Sequence, residues 1–422
     1  MAEHLAIKGG PKAVQTDPGD MFTWPIITEE DEQAVLDVIR AGKMSGWDVT
    51  RQFEKEFAEW HGMKHALAFN TGTASLQAAF FACGLGHQDE LIGPSMTYWA
   101  SCLPAFTLGA TVVFAETDPE TLCIDPNDIE HRITDRTKVI VPVHYAGYPC
   151  DMDPIMEIAN QHGIKVVEDV SHAHGGLYQG RLVGTIGHVG AMSIMSGKAL
   201  PSGEGGMLIT NDEEILRRAT VFGHYERTAE VLTGTEWEKF AGLPMGACKN
   251  RIHQCSSAMG RVQLRHYKER MVEIQKAMNH FWDLLDGVPG IRAHRPPKDS
   301  DSTMGGWYAA HGIYHAEEIP HLDITEFVKA VQAEGVAIRA GANLLMHLHP
   351  VLNELDIYGH GKPTRLANAT RDVLQPAGSL PRTERIPTGC FSIPWFKHYR
   401  PKIIEEHAEA FRKVCLRADE LT

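Results

Sequence analysis

The chain has no run of the roughly 18–20 consecutive apolar residues that a membrane-spanning helix needs. This excludes a helical membrane span. Its opening stretch, MAEHLAIKGG, lacks the apolar core of a secretory leader, so a cytoplasmic protein is expected. The eight cysteines (83, 102, 123, 150, 248, 255, 390 and 415) contain no CxxC pair, which excludes a zinc ribbon and a disulfide frame and predicts reduced, buried thiols. Basic residues are in deficit: 40 Lys and Arg stand against 54 Asp and Glu, a formal charge of −14. Nucleic acid and anionic membrane are therefore excluded as main partners, although a small anion can still be held by backbone amides and a few cations. No GxGxxG opens a helix after a strand, and the glycines at 203, 205 and 206 precede no Lys-Ser or Lys-Thr, so a nucleotide loop is excluded. His347 and His349 have no third ligand nearby, and no metal is expected. Internal repeats and low-complexity tracts are absent.

What is present is ordinary for a soluble globular enzyme: 422 residues, 43% hydrophobic and 22% charged, enough for two domains. Residues 1–25 read as an arm over the surface. Thr28 and Asp31 approximate a capping box before a helix that Gly42 stops, and Phe53, Phe57 and Trp60 line a second helix ending near Gly62. Strands are then expected at 66–69, 91–92, 111–115, 139–143, 164–167 and 190–194, with helices at 74–83, 98–108, 126–132 and 153–161 between them. This alternation predicts right-handed βαβ units and a mostly parallel sheet with helices on both faces. A helix follows Asp212, and another spans 256–279. The smaller C-terminal layer should hold strands at 307–314 and 336–339 and helices at 323–334 and 401–416. The division is drawn as a large domain at 1–265, arm included, and a small α/β domain at 266–422.

The stretch from Val166 to Asp212 carries the chemistry. An apolar strand stops on Glu168 and Asp169, a second short strand follows, and one lysine, Lys198, comes before a glycine-rich turn. Ligands bind at the C-terminal ends of strands in such sheets, which is where Asp169 falls. Met192, Ile194, Met195 and Pro201 surround Lys198 with apolar atoms, and desolvation lowers a lysine's pKa toward the neutral, nucleophilic form. A carboxylate that keeps a pyridine nitrogen protonated, with a lysine that forms a Schiff base, suits pyridoxal phosphate. His172 could reach the cofactor's phenolic oxygen. Gly72 and Thr73 open a helix whose N-terminal amides suit a phosphate, and Ser193 adds a hydroxyl. Tyr98 or Trp99 could stack on the ring.

Four motifs in this order, NTGTASL at 70–76, VPVHYAGYPCDMDPI at 141–155, VEDVSHAHGG at 167–176 and SIMSGKALPSGEGGMLITND at 193–212, resemble the DegT/DnrJ/EryC1/StrS sugar aminotransferases. The resemblance implies the type I, aspartate aminotransferase-like fold of pyridoxal phosphate-dependent transferases, with a large, mostly parallel domain and a smaller α/β one. It implies that Lys198 forms the Schiff base, Asp169 pairs with the ring nitrogen, His172 lies near the phenolic oxygen, and Gly72, Thr73 and Ser193 hold the phosphate. Tyr98 falls where the family's stacking aromatic lies. The family's homodimers share their active sites through a partner loop, which corresponds here to Lys249-Asn250-Arg251, with Lys249 reaching the other subunit. Lys249, with Ser-His-Ala-His at 171–174, is similar to the L-glutamine:scyllo-inosose aminotransferases of aminocyclitol biosynthesis. The expected activity is transfer of an amino group from L-glutamine or L-glutamate to a keto sugar or keto-cyclitol. The alternatives are a nucleotide-linked 3- or 4-keto-sugar aminotransferase, an aminohydroxybenzoate synthase-type dehydratase and a non-catalytic pathway partner. The family's deoxysugar dehydratases carry histidine at the lysine position, which Lys198 argues against. Arg227, Arg251 and Lys249 are the candidate cations for the donor's carboxylate.

Overall fold

The computed structural model describes residues 4–421; the first three residues of the expected arm lie outside the described residues. A central sheet is built from β1 (His65–Phe69), β2 (Glu90–Pro94), β3 (Thr111–Ala115), β4 (Thr137–Ile140), β5 (Lys165–Asp169), β8 (Val189–Ser193) and β9 (Gly206–Thr210), with a small hairpin, β6 (Leu177–Tyr178) and β7 (Arg181–Leu182), beside it. The order across the sheet is β1-β9-β8-β5-β4-β2-β3. Only β9 runs against the other six, pairing antiparallel with both β1 and β8, so the largely parallel sheet expected from the βα alternation is observed. Successive side chains enter opposite cores, as the strand repeat of two requires: Val166, Met192 and Ile209 face one, Val167, Ala191 and Leu208 the other. The first core is closed by Phe53 and Phe57 of the helix Asp48–His61 and by Met152, Ile155 and Ala159 of Met152–His162. The second is closed by the helices Gly72–Ala82 and Glu213–Gly223.

Local signals place most boundaries. Thr28 donates its amide and hydroxyl to Asp31 at 2.9 and 2.8 Å, and Gly62 ends the second helix at φ +65°. Pro126–Arg132 begins at the cap Asp125, whose carboxylate accepts from Asn127 N. Several expectations are corrected. Pro104 breaks the stretch at 98–108 into a 3₁₀ turn, Trp99–Ser101, and a short helix, Pro104–Thr107. Pro142, with no amide to donate, follows a β4 that ends at Ile140. Glu168 and Asp169 lie within β5, not beyond it. β9 itself was not expected, because its apolar run follows glycines that read as a turn. The thiols are all free, but only five are buried; Cys83, Cys248 and Cys255 are half-exposed.

The C-terminal layer is an antiparallel sheet of β10 (Ile291–Ala293), β11 (His311–Tyr314) and β12 (Cys390–Ser392), covered by the helices Ile324–Ala333 and Pro401–Leu416. Trp307 and Ala309 take φ of +57° and +54°, so the strand expected from 307 starts only at His311. The expected strand at 336–339 is irregular backbone, with one isolated bridge from Ala340 to Phe391. The long helix Gln254–Leu284 passes between cores, burying Leu264 and Tyr267 with the central sheet and Ile274, Met278 and Phe281 with the C-terminal layer. The arm packs with that layer through Leu5 and Met21. Glu334 accepts from the amides of Ala6 and Ala13, and Lys413 donates to both Glu334 and the carbonyl of Pro11. At the far sheet edge, Gln375 acts as a strand substitute: its Oε1 accepts from Phe114 N at 2.9 Å and its Nε2 donates to Phe114 O at 2.7 Å.

Among the described residues no helix is long and apolar enough to cross a membrane.

Candidate active site

Three strands that point the same way, β1, β5 and β8, bring their C-terminal ends to one edge of the sheet. Asp169 ends β5, Ser193 ends the neighbouring β8, and the turn after β1 opens the helix Gly72–Ala82. Thr71 caps that helix, its hydroxyl accepting from Ala74 N at 3.0 Å. Close approach of backbones makes the corner possible. A Cβ on Gly72 would lie 2.5 Å from Ser193 Cβ and 2.8 Å from its nitrogen, and one on Gly206 would lie 2.2 Å from Thr71 O. The glycines at 72 and 206 therefore let a helix N-terminus settle against the strand ends, its first amides beside Ser193. Thr73, one residue on, is half-exposed.

Asp169 is 3% exposed and held from both sides: Ser101 donates its hydroxyl to Oδ2 at 2.7 Å, and Ser171 donates its amide to Oδ1 at 3.0 Å. Ser171 Oγ in turn accepts from Ser193 N at 2.9 Å, tying β5 to β8 at the site. Lys198 is 7% exposed, and burial pulls its ammonium down to about 8, an effect that Asp169's charge partly opposes. Its Nζ lies 4.2 Å from the centroid of the Tyr308 ring. The lysine's own carbonyl accepts from Trp24 Nε1 at 2.8 Å, so the end of the arm fixes the lysine loop.

His172 is buried between the rings of Tyr145 (5.4 Å) and Tyr308 (4.9 Å). Its Nδ1 faces the amide of Ala146 at 3.3 Å, which assigns the proton to Nε2. Ala146 can aim that amide because its backbone is held at φ +52°. Burial, reinforced by the Lys198 charge, holds the His172 imidazole well below its ordinary pKa and hence neutral. His174 is pushed down to about 3 by burial, with the Lys198 charge acting in the same direction.

The structure thus gathers Lys198, Asp169, His172, Ser193 and Gly72 at one sheet edge, with Ser171 added from the motif that carries Asp169, and Ser101, Tyr308 and Trp24 from elements that carry no sequence signal for this role. Tyr98 is 49% exposed, its ring 5.2 Å from that of Trp99. Lys249 is exposed, with its Nζ 5.7 Å from the Tyr225 ring. Arg227 and Arg251 are already engaged: Arg227 pairs with buried Glu54 at 2.8 Å and Arg251 with Glu226 at 2.8 Å, and both guanidiniums lie over Trp47. His347 is spent structurally, its ring between Ser95 Oγ and Glu384. Next to Tyr145, Gly197 and Tyr308 a cleft of about 1030 Å³ opens toward the C-terminal layer.

A desolvated lysine and a buried carboxylate on one edge of a mostly parallel α/β sheet, beside a glycine-seated helix N-terminus, define the class of pyridoxal phosphate-dependent transferases with the aspartate aminotransferase-like fold. A solved aminotransferase from Psychrobacter cryohalolentis matches 94% of this chain and 98% of its own, with a TM-score of 0.81 and 28% identity. The profile of the DegT/DnrJ/EryC1/StrS aminotransferase family matches residues 25–412, and the chain belongs to that family. Among similar curated proteins are the spore coat polysaccharide biosynthesis protein SpsC of Bacillus subtilis, 34% identical over 78% of this chain and 84% of its own, and the L-glutamine:2-deoxy-scyllo-inosose aminotransferase of Streptomyces lividus, 37% identical over 79% and 80%. The protein is an aminotransferase.

Proposed function

We propose that the enzyme moves the amino group of L-glutamine or L-glutamate to a keto-cyclitol of the scyllo-inosose kind, using pyridoxal phosphate held at the sheet edge. The observation that carries this reading is the buried pair of Lys198 and Asp169 at the ends of neighbouring elements, in a chain 37% identical to an enzyme named for that acceptor. The donor set suits the cofactor's three chemical ends. A lysine shifted toward neutrality suits an aldehyde, an immobilised carboxylate suits a protonated ring nitrogen, and helix amides with a serine hydroxyl suit a phosphate. The phosphate end of that set is the helix N-terminus that Gly72, which has no room for a Cβ, seats against Ser193.

Bound there, pyridoxal phosphate supplies an electron sink that lets the donor's α-carbon lose its proton. Asp169 accepts a hydrogen bond from the ring nitrogen, and Ser101 and the Ser171 amide keep its carboxylate from turning away. The neutral Nζ of Lys198 takes the proton from the donor's α-carbon and, on the return half, delivers one to the carbon that receives nitrogen. His172, neutral and protonated on Nε2, donates toward the phenolic oxygen. Gly72, Thr73 and Ser193 hold the phosphate, and Tyr98 covers the ring. Lys249 completes the phosphate site of a partner subunit in a homodimer, and residues 1–265 and 266–422 serve as the large and small domains. The test is to load the protein with pyridoxal phosphate and L-glutamine, then offer scyllo-inosose, 2-deoxy-scyllo-inosose and nucleotide-linked 3- and 4-keto sugars. Amination of the cyclitols alone is the expected result. Amination of the nucleotide sugars alone would overturn the acceptor, and a dehydrated aromatic product would overturn the reaction.

A further inference from the structure

Tyr308 stands in a loop whose backbone is costly to hold. Trp307 and Ala309, on either side of it, take φ of +57° and +54°, the left-handed region that residues with a Cβ seldom enter. Such strain persists where the surroundings over-determine it, and it gathers at functional sites. Here the loop is clamped from two directions. Gly306 N donates to His174 O at 3.1 Å and Thr303 N to Leu177 O at 2.9 Å. A Cβ on Gly306 would lie 2.4 Å from Ala199 Cβ, so the loop also rests against the residue that follows Lys198. Tyr308 extends from this mount into the cleft, half-buried, and Trp395 meets its ring edge-on at 5.9 Å. One ring thereby faces two titratable groups of the site: its centroid lies 4.9 Å from that of His172 and 4.2 Å from Lys198 Nζ. Among the described residues Lys198 Nζ makes no hydrogen bond and no ion pair. The ring face is its close counterpart, and Asp169 acts on it through charge alone.

We propose that Tyr308 is a positioning residue for Lys198: the electron-rich face of its ring is the platform on which the amine rests while it carries a proton. This rests on the reading of Lys198 as the group that takes a proton from the amino donor and later gives one back. In that interval the lysine is an ammonium in a nearly buried place with no carboxylate in contact. A ring face attracts such a cation, yet less strongly than an ion pair would, so the charge is held without being trapped. The other titratable groups that face Lys198 are Asp169, which also favours the ammonium, and His172 and His174, both kept neutral by burial. The Tyr308 phenol is pushed up by burial and adds no charge of its own. Weakening the ring's negative face without changing its shape must therefore make the lysine shed its proton more readily.

The test replaces Tyr308 by phenylalanine and by phenylalanines bearing one, two and three ring fluorines, which drain the ring face step by step while keeping its shape, and by leucine. In the full, cofactor-free chain, competitive labelling with acetic anhydride across pH, read on the Lys198 peptide by mass spectrometry, gives the midpoint at which that amine becomes reactive. Tyr308→Phe should leave the midpoint near the wild type's, and it should fall with each fluorine, by about half a pH unit or more over the series. A midpoint indifferent to fluorination overturns the proposal. So does a rise in Tyr308→Leu toward the ordinary lysine value, which would mean that the ring only keeps water out. In the loaded enzyme Tyr308→Leu should lower kcat at least about tenfold and leave the donor's KM near the wild type's, whereas an unchanged kcat overturns the positioning role. The labelling needs neither cofactor nor substrate. A midpoint that follows fluorination in a chain that aminates nothing upholds the platform and sinks only the aminotransferase reading.

Discussion

At the residue scale the decisive quantity is the protonation of Lys198. With its pKa at about 8 in place of 10.5, the neutral fraction at pH 7 is roughly 300-fold larger. Because the neutral amine is the nucleophile, capture of pyridoxal phosphate by the cofactor-free chain should speed up as pH rises and level off above about 8. Stopped-flow traces still accelerating in proportion to hydroxide at pH 10 would contradict this. Lys198→Ala should abolish turnover. Asp169→Asn, which leaves Ser101 and the Ser171 amide a partner but removes the charge, should cost about two orders of magnitude or more in kcat. Much of this was legible in the sequence, since a lysine, an acid, a histidine and a glycine-threonine pair sit in short motifs of fixed spacing. Ser101 and Tyr308 were not, because their roles depend on contacts across 68 and 110 positions of chain (169 − 101 and 308 − 198). The same blindness made Arg227 and Arg251 look like free cations, since Glu54 and Glu226 meet them only after folding.

At the scale of elements, the corner between the helix Gly72–Ala82 and the strand ends is the sensitive joint. Gly72→Ala would push a methyl onto Ser193 backbone atoms at 2.6 and 2.8 Å, which neither partner can relieve by rotating a side chain. It should lower stability by about 1–3 kcal/mol and weaken cofactor retention, seen as a lower Tm and a larger Kd for pyridoxal phosphate. Thr71→Ala, which only removes the cap bond to Ala74 N, should cost about 1 kcal/mol and leave that Kd closer to the wild type. Caps and glycine stops are local chemistry, which is why helix starts such as Thr28, Asp125, Asp212 and Asp323 could be read from sequence. Strand 206–210 hid because MLIT after three glycines has no period of its own, and its antiparallel place is set by β1 and β8. Apolar alternation at 336–339 misled for the converse reason: those residues cover the C-terminal core without a ladder to join.

At the scale of the whole molecule, the arm links the lysine loop to the C-terminal layer, from Trp24 at one end to the buried Glu334–Lys413 pair at the other. Glu334→Ala strands the Lys413 charge and frees the amides of Ala6 and Ala13, for a loss of about 3–5 kcal/mol. Limited proteolysis should then cut within residues 4–25 well before the core unfolds; a digestion pattern like the wild type's would refute the strapping role. Gln375 has a different reach. A strand at the rim of a sheet is an open template for foreign chains, and a single carboxamide here occupies both the donor and the acceptor of Phe114 that an intruder would need first. Arg365, which donates to Val112 O, shares that cover with Gln375, so the colloidal behaviour of this enzyme at high concentration rests on two side chains of one segment, and erasing both should show up as clumping before it shows up as lost catalysis.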